Sequence, residues 1–228
     1  MGRRLLTSVA VVLAVTRKDL IDEFRTRYAF GTIFLFAVAA IVIISFPVGY
    51  LVLNENLHAV LFWLVIFFSS QYALSRSFVK EEESKTAPAL RLAADPDLLY
   101  LGKMLVNVVI LSAVTLFVLP LYHLFMVLPA GNFPLLATAV LFAVFSLSGA
   151  STILSAVAAR ANAGSALFPV LAFPVVLPVL ITVVKATETA FRGGSFAEAS
   201  TELYFLLSMS IMTITLSILL FEYVWLEQ

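Results

Sequence analysis

VKEEESKTAPALRLAADPDLLYLGK, residues Val79–Lys103, is the one long water-seeking stretch inside an otherwise apolar chain. Uncharged runs flank it, Leu57–Ser75 before and Met104–Leu128 after. A bilayer core of roughly 30 Å takes about 20 helical residues to cross, so both runs suit membrane spans and the stretch between them is a polar loop. Pro88 favours the start of a helix, and Pro96 stops one from running on through Asp95. Between them ALRLAAD makes about two turns, with Ala87, Leu90, Ala93 and Ala94 on one face. Asp95 suits an N-cap, with Pro96 at the first helical position of the following span. So short a helix is marginal in water, because nucleation costs more than its few hydrogen bonds return. Either lipid headgroups or a groove of another protein must hold it. The run Glu81, Glu82 and Glu83 favours the groove: an anionic membrane face repels three carboxylates, and a basic partner surface attracts them. The plainer alternative is a solvated connector.

The rest of the chain repeats the pattern of apolar runs. Of 228 residues, 62% are hydrophobic and 12% charged, against about 25% charged in soluble domains. Six runs have the length of a span: Ala29–Leu53, Leu57–Ser75, Met104–Leu128, Leu135–Ala159, Ala166–Val184 and Leu203–Phe221. None contains Asp, Glu, Lys or Arg. Helix is the conformation that pairs every backbone group in lipid. The expected fold class is therefore an all-α polytopic membrane protein with six transmembrane helices. The linkers Asn54–Asn56 and Pro129–Pro134 read as tight turns that make antiparallel hairpins of spans 1–2 and 3–4. A net charge of zero lacks the basic footprint of a nucleic-acid binder. The absence of cysteine excludes disulfides, thiolate metal sites, iron–sulfur clusters and Cys-x-x-Cys-His haem attachment.

Charge sets the orientation. With the N-terminus inside, twelve of the fourteen Lys and Arg residues fall on the cytoplasmic side and only Lys185 and Arg192 outside, so both termini are expected in the cytoplasm. LLTSVAVVLAV (Leu5–Val15) has the look of a signal peptide but lacks a small-x-small cleavage site, and cleavage would leave RKDLIDEFRTR outside. Residues 1–28 read better as an amphipathic helix on the membrane surface, with Leu13, Leu20, Ile21, Phe24 and Tyr28 near one side. Residues 29–228 then form the six-span domain, with a cytoplasmic loop over 79–103 and an outer loop over 185–202.

The sequence has no G-x-x-x-x-G-K-[ST] and no carboxylate within a span. Active transport by this chain would need energy from a partner, for which a docked loop helix is a suitable lever. At this point the residues are similar to a known family. TRKDLIDEFRTR before the first span, LSRSFVKEEE leaving the second, ALRLAADPDLLYLGK, and above all SALFPVLAFPVVLPVLI (Ser165–Ile181) resemble the CcmB family, the permease subunit of the cytochrome c maturation ABC transporter. The resemblance covers nearly the whole chain.

It implies an ABC-2 exporter-like, non-catalytic permease of the cell inner membrane. Such a permease works as a homodimer with an ATP-binding, CcmA-like subunit and with CcmC- and CcmD-like membrane partners. ATP and Mg belong to the ATP-binding partner, haem is a candidate substrate, and no cofactor is assigned to this chain. Glu81, Glu82, Glu83, Leu90, Arg91, Asp95 and Pro96 become the expected ATPase-coupling residues, with RANAGS (Arg160–Ser165) as a second contact. Haem export and the release of a haem-loaded chaperone both remain open. Rival readings are the permease of another small exporter, a passive scaffold for haem-handling proteins, and an intramembrane serine protease, for which LSGAS lacks the G-x-S-x-G elbow.

Pro169, Pro174 and Pro178 each remove a backbone donor from the fifth span; they read as a hinge lining a path or as kinks for packing. Ser148, Thr152 and Ala156, like Ser151, Ser155 and Ala159, recur every four residues and suit close helix packing. His58 and His123, near outer span ends, are haem-ligand candidates; the alternative is a pair of amphipathic interface residues. Arg76 can snorkel to the interface and pair with Glu82 or Glu83.

Overall fold

A computed structural model describes residues 2–25, 27–48, 53–126, 128, 131–160 and 167–226, with the side chains of 2–7, 27–30 and 226 left aside. Among these residues there are eight helices and no strand: α1 (Gly2–Arg25), α2 (Arg27–Val48), α3 (Glu55–Glu83), α4 (Ala87–Ala93), α5 (Pro96–Met126), α6 (Phe133–Arg160), α7 (Phe168–Phe191) and α8 (Ser200–Leu226). Six of them, all but α1 and α4, are long and apolar enough to cross a membrane. The chain is an all-helical, multi-pass membrane protein. Ala161–Ser165 and the side chain of Tyr28, both singled out above, lie outside the described residues.

Helix α6 sits at the centre and packs on α8, α7, α3 and α5. Lipid tails are as apolar as leucine, so helices in a membrane gain little from hydrophobic burial and associate through close packing and interhelical hydrogen bonds. The small residues of α6 serve that end. Ser148, Ser151, Thr152, Ser155, Ala156 and Ala159 are all buried. Ser146 and Ser210 share a 2.8 Å hydrogen bond between α6 and α8, and the Tyr100 hydroxyl donates to the Gly149 carbonyl. At the hairpin end, Asn132 accepts from Leu135 N as the cap of α6 and donates its own side-chain amide to the Gly194 carbonyl. Trp63 Nε1 donates to Thr187 over 2.8 Å, tying α3 to α7.

The spans outrun the apolar runs at both ends. Helix α3 continues through Glu81–Glu83, and α7 through Lys185–Phe191, where Ala186, Thr187, Ala190 and Phe191 are buried. The outer loop expected over 185–202 contracts to 192–199, and Glu188, now on α7, accepts from the Asn56 amide. The loop expected over 79–103 contracts to 84–86 and 94–95, with α4 between. The three prolines read as a hinge or as packing kinks occupy two different settings. Pro169 lies in the first turn of α7, where its missing donor costs nothing. Pro174 and Pro178 are inside a continuous helix, on its exposed face with Phe173 and Leu177.

Helix α1 turns Val9, Leu13, Ile21 and Phe24 outward, while Leu20 packs on the core. Its other side crosses α5 at Gly102. The Thr16 hydroxyl donates to the Gly102 carbonyl over 3.1 Å, and a Cβ at position 102 would fall 2.7 Å from Val15 Cγ1. Gly102→Leu is therefore expected to lift α1 from α5. Limited trypsinolysis should then cut after Arg17 and Lys18 much faster than in the wild type while the spans stay protected. Unchanged cleavage would contradict the crossing.

Candidate functional site

The residues that bring α4 into place begin at the end of α3. Lys85 has a left-handed backbone (φ 56°), so the chain reverses there in a Schellman turn. The Thr86 amide donates to the Glu81 carbonyl, and the Lys85 amide to that of Glu82. This reversal puts the Thr86 hydroxyl on the Glu81 carboxylate and starts α4, with Pro88 in its first turn. Ala94 is extended, Asp95 leads into Pro96, and the Leu99 amide donates to the Asp95 carbonyl as α5 begins.

Glu81 is buried and faces inward. Lys103 Nζ lies 2.9 Å from Glu81 Oε1 and 2.8 Å from Asp19 Oδ2; Lys18 Nζ lies 2.9 Å from Glu81 Oε1 and 3.3 Å from Asp19 Oδ1. Two cations and two carboxylates thus alternate in a closed, neutral cluster contributed by α1, α3 and α5. Burial works against the Lys18 ammonium, but the hydrogen bond from Lys18 to Glu81, with the charge of Asp19, holds its pKa above the ordinary lysine value. The Lys103 side chain is only 4% exposed and also lies over the Phe78 ring. A buried charge is tolerated only when paired and hydrogen-bonded, and this arrangement meets the condition from three helices at once.

Behind α4 stands an aromatic cluster of Phe78, Tyr100, Phe221 and Trp225, which joins the ends of α3, α5 and α8. Ala87 is buried against it and Leu90 half-buried. The Arg91 guanidinium lies 5.0 Å over Trp225 and 3.5 Å from Glu82. These contacts supply from the chain itself the support that so short a helix needs. Glu83 pairs with Arg76 at 3.0 Å on the surface. What α4 leaves outward is Pro88, Ala89, Ala93 and above all Leu92, which is 91% exposed.

Of the expected coupling residues, then, Glu81, Leu90 and Arg91 hold α4 from behind, Glu82, Glu83 and Asp95 lie around it, and Pro96 starts α5. Sequence reasoning did not single out Leu92, Thr86, Lys18, Asp19 or, as an ionic partner, Lys103. The histidines lie at the opposite end: His58 is enclosed, with Tyr122 Oη 3.4 Å from its Nδ1, whereas His123 is exposed.

Six helices of span length with a braced short helix at one end make a polytopic membrane bundle, the class of fold that membrane permeases use. The chain matches the family model described as CcmB protein over residues 10–222, and it belongs to the CcmB family. That family is the membrane permease subunit of a haem-exporting ABC transporter of cytochrome c biogenesis, in a complex with an ATP-binding subunit. No individual curated protein matches the chain.

Proposed function

We propose that α4 is the docking element through which ATP hydrolysis in the partner subunit drives this permease, in the cell inner membrane with both termini cytoplasmic. The observation that carries the reading is Leu92: a large apolar side chain held almost wholly in solvent by a helix that the protein anchors from behind through Ala87, Leu90 and Arg91. An anchor of this kind suits an apolar groove on a partner, with Glu82, Glu83 and Asp95 around it to meet a basic rim. Because Glu81, Thr86 and Arg91 tie α4 to α1, α3, α5 and α8, a push on α4 reaches four helices together. The distribution of Lys and Arg supports the orientation.

In this reading the chain itself is non-catalytic, ATP and Mg stay with the ATP-binding subunit, and two copies work with CcmC- and CcmD-like partners. The stroke serves haem export or the release of a haem-loaded chaperone. Affinity purification of the tagged full chain from its native membrane tests the reading. An ATP-hydrolysing protein should come down with it. If no nucleotide-binding protein does, the permease loses its energy source and the scaffold reading takes its place.

A further inference from the structure

A cleft of about 160 Å³ lies between α1, α3 and α5. Each helix lends it residues one turn apart: Asp19 and Glu23, Arg76 and Lys80, Lys103 and Asn107. Away from the charged end the lining becomes Ala73, Val106 and Ile110, so polarity falls along the helices towards the apolar depth of the bundle. That gradient is the outline of an amphiphile's headgroup and the root of its chains.

The charges narrow the choice. Asp19 and Lys103 satisfy one another at 2.8 Å. Arg76 and Lys80 are held more loosely, by Glu83 at 3.0 Å on the surface and Asp22 at 4.0 Å; exposed pairs of this kind are weak and leave donors for another acceptor. Glu23 has no ion pair among the described residues. The cleft therefore offers two cations and one carboxylate to a ligand. Tyr72, whose hydroxyl accepts from Arg76 Nη1 over 2.9 Å, keeps its own proton to donate.

We propose that this cleft binds a phospholipid with a phosphoethanolamine headgroup, its phosphate on Arg76 and Lys80, its ammonium on Glu23 and its chains along Ala73, Val106 and Ile110. An anionic headgroup without an amine would face the Glu23 carboxylate unpaired. A choline headgroup carries no N–H for it to accept.

Native mass spectrometry of the full chain, exchanged into equal amounts of phosphatidylethanolamine, phosphatidylcholine and phosphatidylglycerol with identical acyl chains, tests this. The ethanolamine lipid should be retained about tenfold over either competitor, as expected for one charge-assisted hydrogen bond. Glu23→Gln should erase the preference over the choline lipid without lowering total lipid bound, and Glu23→Asp should keep part of it. Arg76→Gln with Lys80→Gln should lower retention of all three. Soluble glycerophosphoethanolamine, which lacks the chains, should fail to displace the lipid. Equal retention of the three lipids, preference for phosphatidylglycerol, a preference unchanged in a Glu23→Gln protein that elutes like the wild type, or displacement by the soluble headgroup would overturn the proposal.

Discussion

Lys103→Met is expected to cost about 3–5 kcal/mol, the usual cost of removing one partner from a buried ion pair. The effect is large because Lys103 faces two carboxylates. Without it the only cation of the cluster left to Glu81 and Asp19 is Lys18, whose side chain is 46% exposed. A buried anion and a partly buried one would then share one cation that is half in water. The amount of full-length protein in the membrane should fall sharply, and purified protein should melt well below the wild type. Adding Glu81→Gln to Lys103→Met should recover part of the loss, because the second substitution removes an anion that the first left unpaired. Lys18→Met, by contrast, should cost no more than about 1 kcal/mol, as for other partly exposed pairs. Wild-type melting of Lys103→Met would show that the cluster does not hold the charged end together.

Leu92→Asp is expected to act in the opposite way, sparing the fold and weakening the partner. Since Leu92 contributes almost no buried surface to its own chain, its replacement should change stability by no more than about 0.5 kcal/mol. If Leu92 is the anchor in an apolar groove, a carboxylate there should cost about 2 kcal/mol or more of docking, roughly thirtyfold in affinity. Co-purified ATPase and the yield of mature cytochrome c should fall together while the level of this chain stays constant. Leu90→Asp provides the contrast, because Leu90 packs on the Phe221–Trp225 cluster. That variant should lose stability as well as docking.

The bilayer makes the six spans legible, since uncharged runs of span length have few other fates. Their ends were less legible. Charge marks the apparent end of a span at Arg76 and Lys185, yet a helix stops only where its backbone hydrogen bonds stop, and packing or pairing carries both helices further. Arg76 and Glu83 meet on one such extension, and Asn56 meets Glu188 on another.

The cluster was hidden for a different reason. Glu81 and Lys103 are 22 residues apart and Lys18 is farther still, so no local spacing connects them. The positive φ at Lys85 and the crossing at Gly102 bring them together, and both are products of the tertiary fold. Position 92 illustrates a third limit. The apolar face of α4 could be drawn from Ala87 and Leu90, but the chain and its partner both present apolar surface. Periodicity cannot say which side of a short helix is used at home and which abroad.

The most direct test of α4 as the docking element is photo-crosslinking in native membranes from a benzophenone side chain placed at Leu92, with the same group at Phe196 on the opposite end as control. A covalent adduct to an ATP-binding protein is expected from position 92 and none from position 196. Adducts to lipid alone, or no adduct to a nucleotide-binding protein from position 92, would contradict that role.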